Sequence, residues 1–154
     1  FTKIVEKEPN SRLLLIGNGG RFEEIKEKVK ALNLSDSVII AGVRADIPDL
    51  MQAMDVFVLP SLYEGLPVTM VEAQASGLPC VISDKVPHEC ILTDGLVEIV
   101  PLSVDPETWA EKILEKRNFH RTDRHDEIAA HGFDITTEAV KLQEFYINAY
   151  EQNR

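Results

Sequence analysis

The sequence has little positive charge and no apolar run long enough to cross a bilayer. Its 154 residues include 16 lysines and arginines against 26 aspartates and glutamates, so the formal net charge is −10. An acidic protein is repelled by nucleic acid and by anionic membrane surfaces, which we therefore exclude as its main partners. Neither a membrane-spanning helix nor a signal peptide is predicted, and we expect a cytoplasmic protein.

Cysteine is scarce as well, with only Cys80 and Cys90 in the chain. Cys80 falls in a predicted strand and Cys90 in the loop that follows it. This spacing matches neither a disulfide framework nor a metal site. The sequence therefore predicts two reduced thiols and no bound metal.

Apolar residues make up 44% of the chain, which is enough for one good core. Apolar runs alternate with amphipathic segments, and this alternation predicts an α/β fold with a Rossmann-like parallel sheet and helices on both faces. We assign 1–116 to this domain and 117–154 to C-terminal helices, with a basic linker between them. The predicted strands are 13–16, 38–41, 55–59, 80–82 and 97–100, and the predicted helices include 21–32, 46–54, 67–76 and 106–116.

The stretch from Ser61 to Ser83 organises the rest of the chain. It follows a strand and is predicted to form a loop, a helix, a turn and a further strand. Pro67 suits the first helical position, which makes Leu66 the N-cap. Leucine has no side-chain oxygen, so the amides of 68–70 are expected to point freely out of the helix end. Such an end is a ready site for an anion, and phosphate is its usual occupant.

Two carboxylates accompany this predicted helix end. Glu64 lies in the loop before it, and Glu72 lies four residues after Val68 on a helix of small and apolar residues. A carboxylate in this place can accept hydrogen bonds from the hydroxyls of a sugar or a ribose. The alternative is that both glutamates are merely solvated and that water or Thr69 covers the amides.

The stretch Tyr-Glu-Gly-Leu-Pro-Val-Thr-Met-Val-Glu-Ala-Gln-Ala-Ser-Gly-Leu-Pro-Cys-Val contains Glu64 and Glu72, with seven residues between them. It resembles the E-x7-E signature of the group 1 (family 4) glycosyltransferases. The resemblance extends upstream through 13–20 and 38–53, so it covers most of the first hundred residues. The amino-acid sequence of this stretch is most similar to that of the branch that builds bacterial exopolysaccharides and capsules.

The resemblance implies that the chain is the C-terminal, donor-binding half of a two-domain GT-B enzyme, truncated before its first strand. Such a retaining enzyme moves a sugar from a nucleoside-diphosphate sugar to an acceptor hydroxyl. It implies that Glu64 is catalytic and holds donor-sugar hydroxyls, and that Glu72 holds the ribose. The remaining donor-binding positions of this stretch are Gly65, Leu66, Val68 and Thr69.

The same resemblance implies how the whole enzyme works. No cofactor or metal is expected, because helix amides stabilise the diphosphate. The acceptor, a saccharide or a lipid-linked saccharide, belongs to an N-terminal domain, so this fragment alone is expected to be inactive. The full-length enzyme is expected in the cytoplasm, and peripheral attachment to the inner membrane is left open. The sequence does not identify the donor sugar, the base or the oligomeric state.

The resemblance also implies that two further segments contact the nucleotide. Gly42, Val43 and Arg44 follow the second strand, where open α/β sheets bind ligands, although Arg44 could equally form a surface salt bridge. The turn Gly17-Asn18-Gly19 ends the first strand and fits a nucleotide-sugar cleft. As a dinucleotide fingerprint it is incomplete, because Phe22 replaces the third glycine of G-x-G-x-x-G.

Two other functions share this alternating pattern. A sugar-nucleotide epimerase would need catalytic acids and a histidine in the cleft, for which His88 is the candidate. A phosphoacceptor receiver domain would need an aspartate at the end of the middle strand, where the sequence is Leu59-Pro60-Ser61. The transferase half is the interpretation that the residues favour.

Overall fold

A computed structural model describes residues 1–152 as an alternation of helices and short parallel strands. The helices and strands, in chain order, are α1 (Thr2–Lys7), β1 (Leu13–Ile16), α2 (Phe22–Ala31), β2 (Val38–Gly42), α3 (Ile47–Gln52), β3 (Phe57–Leu59), α4 (Val68–Ala75), β4 (Cys80–Ser83), β5 (Val97–Val100), α5 (Pro106–Glu115), α6 (His125–Ala130) and α7 (Ile135–Gln152). A short 3-10 turn, His88–Cys90, lies between β4 and β5. No helix within residues 1–152 is both long and apolar enough to span a bilayer.

The strands form two parallel sheets rather than the single sheet that the sequence predicts. One sheet pairs β1 with β2, and the other has the order β3-β4-β5. All strand pairs are parallel, because each crossover returns the chain to the same end. Helices α2 and α4 form the crossovers of the first and second pairs, whereas the crossover from β4 to β5 is a loop with the 3-10 turn. The α/β class with flanking helices is therefore confirmed, whereas β1 and β3 share no ladder of hydrogen bonds.

The core lies around β4, the middle strand of the larger sheet. Cys80, Val81 and Ile82 have no solvent exposure, and neither have Met70 and Ala73 on the inner face of α4. By contrast, β3 is only half-buried, although its apolar sequence predicts burial on both faces. The reason is its position at the edge of the described sheet, where one side lacks a neighbouring strand.

Helix α2 is less buried than its apolar stripe predicts. Ile25 is 41% exposed and Leu32, which caps the helix, is 45% exposed. The sheet of β1 and β2 has two strands, so it offers a narrower surface than a full sheet would. The stripe of α2 is therefore not part of the core in residues 1–152.

The basic stretch between α5 and α6, which the sequence predicts to be a linker, is anchored through Arg121. Its Nη1 donates to the carbonyls of Met51, Gln52 and Met54, at 3.1 Å each, and its Nη2 donates to the carbonyl of Ser76 at 2.6 Å. These carbonyls belong to the ends of α3 and α4, which carry the negative poles of the helix dipoles. One side chain thus joins two helices to the C-terminal segment.

The two C-terminal helices differ in how they pack. Ile128 of α6 is buried in a small cluster with Val71 and Leu92, whereas no side chain of α7 is buried within residues 1–152. The α7 surface instead presents apolar residues, among them Leu142 and Phe145. The division of the chain at 116 stays a prediction, and the last two residues of the predicted 117–154 segment lie outside the described part.

Candidate functional site

Helix α4 begins one residue later than the sequence predicts. Pro67 is the N-cap, with ψ at 92°, and Val68 is the first helical residue. The prediction that Leu66 caps the helix was wrong, because this extended ψ places Pro67 outside the helix. The amide of Met70 already donates to the carbonyl of Pro67 at 2.9 Å. At the start of α4, the amides of Val68 and Thr69 have no acceptor among the described residues.

The two faces of α4 have different chemistry. Its inner face is buried in the core and consists of Met70, Val71, Ala73 and Gln74. The outer face exposes Val68, Thr69 and Glu72, since residues three and four apart lie on one side of a helix. The exposed residues Val68, Thr69 and Glu72 therefore share one side of α4, and the two free amides lie at its N-terminal end.

Glu64 is held by the hydroxyl of Ser61, which donates to its Oε1 at 2.6 Å. The loop that carries both residues is tied to the end of β4, because the buried Ser83 hydroxyl donates to the Ser61 carbonyl at 2.5 Å. Glu64 is itself half-buried. Hydrogen bonds from Ser83 to Ser61 and from Ser61 to Glu64 thus fix the position of the Glu64 carboxylate. The sequence interpretation missed both serines. Their signal was their position, since each follows or ends a predicted strand.

The loop-to-strand stretch Ser61–Ser83 contains no lysine or arginine. An anion bound at the start of α4 would therefore be neutralised by amides and the helix dipole within this stretch. Gly65 and Leu66, also predicted to bind, are both exposed in the loop before Pro67.

The structure joins the two other predicted binding segments to each other. The amide of Gly17 donates to the carbonyl of Gly42 at 2.8 Å, so the ends of β1 and β2 are tied together. Val43 is 78% exposed, and the Arg44 guanidinium binds the carboxylate of Asp46, with Nε 2.8 Å from Oδ1. The predicted alternative for Arg44, a surface salt bridge, is the arrangement seen. It lowers the pKa of the Asp46 carboxyl.

The turn after β1 is open and adjoins an apolar pocket. Gly17 has φ at +127°, and the side chain of Asn18 accepts a 2.8 Å hydrogen bond from the amide of Gly19. The pocket holds about 290 Å³ and is lined mainly by β1, β2 and α2, with Phe22 in the place of the missing glycine. All three residues of the predicted turn are exposed beside it.

The two cysteines and His88 give no evidence for a further catalytic or metal site. Cys80 and Cys90 form no disulfide, and both are buried. Burial raises the pKa of the Cys80 thiol to about 12. His88 is exposed on the 3-10 turn after β4. In the part of the chain that the structure describes, no cluster of three potential ligands is placed to hold a metal ion.

Comparison with known protein families shows which family this chain belongs to. The profile of the family described as "Glycosyl transferases group 1" matches residues 1–116, which include both glutamates, α4 and β5. The chain belongs to this family. The resemblance drawn from the E-x7-E stretch is therefore confirmed.

Two curated relatives are similar to this group 1 glycosyltransferase chain over most of its length. The inferred glycosyltransferase EpsF of Bacillus subtilis (strain 168) is 41% identical over 146 residues, which cover 93% of this chain and 38% of that protein. The UDP-Gal:alpha-D-GlcNAc-diphosphoundecaprenol alpha-1,3-galactosyltransferase of Escherichia coli is 32% identical, with coverage of 91% and 38%. The chain thus spans just over a third of the length of these relatives.

Solved structures agree on the fold of this glycosyltransferase chain. Sucrose-phosphate synthase from Thermosynechococcus elongatus superposes with a TM-score of 0.77 at 22% identity, over 98% of this chain and 41% of that one. HepE from Anabaena, solved in complex with UDP, superposes with a TM-score of 0.73 at 22% identity, over 96% and 44%. The chain has the Rossmann-like fold found in one part of GT-B glycosyltransferases.

Proposed function

We propose that this chain is the donor-binding half of a retaining glycosyltransferase, which moves a sugar from a nucleoside-diphosphate sugar to an acceptor hydroxyl. The observation that carries the proposal is the start of α4, where Val68 and Thr69 have free amides and Glu72 is exposed one turn further along the same side of the helix. The family membership and the position of Glu64 beside this helix support it.

The diphosphate would bind at the start of α4. The two free amides and the positive end of the helix dipole can stabilise the charge that develops on the leaving diphosphate. Because these dipoles are already oriented by the fold, the step needs no metal ion in this proposal. Gly65 and Leu66 leave room for the phosphates, since both are exposed beside the helix end.

The two glutamates would bind opposite ends of the donor. Glu72, one turn into α4 and exposed, would accept hydrogen bonds from the ribose hydroxyls. Glu64, held by Ser61, would accept hydrogen bonds from the donor sugar and keep its anomeric carbon in position for transfer. Its role is to orient the sugar, and it is not assigned as a nucleophile.

The base would contact the tied ends of β1 and β2. Backbone groups of 42–44 and the open turn 17–19 lie together there, joined by the Gly17–Gly42 hydrogen bond. Uracil is the first base to test, because the Escherichia coli relative is named for UDP-Gal and HepE was solved with UDP. The donor sugar itself depends on side chains beyond those of this stretch.

The whole protein would act in polysaccharide biosynthesis in the cytoplasm, with an acceptor saccharide or lipid-linked saccharide bound by a second domain. The relative that acts on a diphosphoundecaprenol-linked sugar supports this acceptor class. We expect this chain alone to bind donor weakly and to transfer no sugar, because the acceptor side of the cleft belongs to the second domain.

The test is a titration of this chain with UDP, GDP and ADP, followed through amide chemical shifts by NMR. We expect shifts at 65–70 and 42–44 with one nucleotide preferred, and weaker binding by Glu72→Ala. Glu115→Ala, an exposed glutamate of α5 paired with Lys112, serves as the matched control and should bind as the unmodified chain does. Addition of a metal chelator should leave the binding unchanged.

A second arm of the experiment separates the glutamates. Glu64→Gln should leave UDP binding unchanged and weaken UDP-glucose binding, because Glu64 is assigned to the sugar alone. If no nucleotide causes shifts at millimolar concentration, or if the shifts lie away from α4 and β2, the proposed donor site is wrong.

A further inference from the structure

The side chain of Gln74 joins α4 to the segment that follows β4. Its Nε2 donates to the carbonyls of Cys90, at 2.7 Å, and of Met70, at 3.2 Å. Its Oε1 accepts from the amide of Leu92, at 2.9 Å, and from the hydroxyl of Thr93, at 3.1 Å. Both donors and both acceptor sites of the amide are therefore used.

The residue is unusual for a core helix position. Gln74 has no solvent exposure, although a leucine or methionine would fill such a site with no polar atoms to satisfy. A polar group that is buried and fully bonded specifies one arrangement of its surroundings more strongly than an apolar group does. Here the surroundings are Cys90, at the end of the 3-10 turn, and the segment 91–93, which has no helix or strand of its own.

The segment so fixed leads back to the candidate site. The backbone of Cys90 is held by Gln74, and the thiol of Cys90 donates to the carbonyl of Pro87 at 2.6 Å, which closes the 3-10 turn. Burial raises the pKa of the Cys90 thiol, and the negative charges of Glu89 and Glu64 raise it further. The start of the same segment is tied to Glu64, because the Ser83 hydroxyl at the end of β4 donates to the Ser61 carbonyl and the Ser61 hydroxyl donates to Glu64.

We propose that Gln74 is a positioning residue, which holds the segment 88–93 after β4 and so supports the loop of Ser61 and Glu64 that is tied to the end of β4, at the donor-sugar end of the site. The inference rests on the proposed function, and it extends it from the E-x7-E stretch to the segment 88–93. The diphosphate and ribose would bind on the outer face of α4, away from Gln74. Gln74 therefore influences the sugar of a nucleotide sugar and has little influence on the nucleotide.

The experiment measures dissociation constants of this chain for UDP and for UDP-glucose. Gln74→Met keeps the length of the side chain and removes its hydrogen bonds, whereas Thr93→Val removes one donor at nearly constant volume. We expect Gln74→Met to weaken UDP-glucose binding by about fivefold or more while UDP binding changes by less than about twofold. Thr93→Val should change both constants in the same directions, by smaller factors.

Two controls keep the result specific. Asp105→Ala removes the cap of α5, on which Thr108 depends, and lowers stability away from the site. It should alter neither constant. In the unliganded chain, hydrogen exchange at the Leu92 amide should accelerate in Gln74→Met and stay unchanged in Asp105→Ala, because the acceptor of this amide is lost only in the former.

The outcomes separate the two proposals. If the unmodified chain binds neither ligand, the proposed function fails, and this inference fails with it. If the unmodified chain binds both and the variants lose UDP and UDP-glucose equally, or lose neither, Gln74 is only a structural residue and the inference alone is overturned. Should Gln74→Met not fold, Thr93→Val decides the question by the same comparison.

Discussion

The guanidinium of Arg121 donates to the carbonyl of Ser76, 45 residues earlier in the chain, at 2.6 Å. The same side chain reaches the end of α3 through three more carbonyls. The C-terminal ends of α3 and α4 are thus joined by one cation from the C-terminal segment. The first half of this segment is part of the structure that supports α4.

Replacement of Arg121 by alanine should lower the free energy of unfolding by about 2 kcal/mol, because hydrogen bonds from a charged group are lost and carbonyls are left to solvent. Arg121→Lys should restore only part of this, since an ammonium group cannot reach both helix ends as the planar guanidinium does. Urea denaturation measures both changes.

The control for this prediction is Arg117→Ala. Arg117 forms an exposed ion pair with Glu8 at 3.4 Å, and such pairs contribute about 0.5 kcal/mol or less. Equal losses in the two alanine variants would show that the bonds of Arg121 to the helix ends have no special importance.

Gly77 should tolerate no side chain. It has φ at +64°, and a Cβ atom there would lie 2.3 Å from the carbonyl oxygen of Thr122. Gly95 is the matched control, with φ at +72° and open space around it. Gly95→Ala should cost about 1–2 kcal/mol from the left-handed backbone alone, and Gly77→Ala should cost clearly more. Similar thermal midpoints for the two variants would contradict the close approach of Thr122.

Truncation should separate the two C-terminal helices. Removal of the chain after Asp134 should leave the free energy of unfolding nearly unchanged, because no described side chain of α7 is buried. Removal after Lys116 should cost about 2 kcal/mol or more, since Arg121 and the buried Ile128 are lost with it. A large loss of stability on removal of the chain after Asp134 would show that α7 packs on the domain in solution.

Acid should destabilise the fold through several exposed carboxylates whose pKa values are lowered by hydrogen bonds. A lowered pKa in the folded state stabilises the protein above the ordinary value of about 4 and ceases to do so as the pH falls through the folded value. The urea midpoint should therefore fall from about pH 4 downwards. The carboxylates concerned are Glu24, Asp46, Asp84, Asp105, Glu127 and Asp134.

Asp105 allows this prediction to be checked at one residue. Its carboxylate caps α5 by accepting from the Thr108 amide at 2.9 Å, and this bond is the main cause of its lowered pKa. Asp105→Asn keeps a capping oxygen that does not titrate. The variant should therefore show a shallower dependence on acid pH than the unmodified chain, and an unchanged slope would exclude Asp105 as a contributor.

Local signals in the sequence predicted helix ends well where a side chain acts on its own neighbours. The Asp105 carboxylate caps α5, and Pro106 is its first residue. Asp46 stands at the N-cap position of α3 with Pro48 in the first turn, although its carboxylate binds Arg44 and no amide of the helix. Pro67 was the exception. Proline fits both the cap and the first helical position, and only its ψ, which neighbouring residues set, distinguishes the two.

Burial and long-range contacts could not be predicted in this way. The spacing of Ile25 in α2 shows which face is apolar, but the spacing cannot show how wide a sheet lies opposite. The four acceptors of Arg121 come from parts of the chain that are distant in sequence. The E-x7-E stretch located Glu64 and Glu72, while Ser61, Ser83 and Gln74 became apparent only once β4 and α4 were placed together.

The burial of both thiols has a practical consequence. Neither Cys80 nor Cys90 exposes its side chain, and burial keeps the Cys80 thiol protonated at neutral pH. A single cysteine introduced at an exposed position, such as Ile135 with 77% exposure, would then be the fastest to react with a maleimide dye. The natural sequence can therefore carry a fluorescent or spin label at a chosen point without prior removal of its own cysteines.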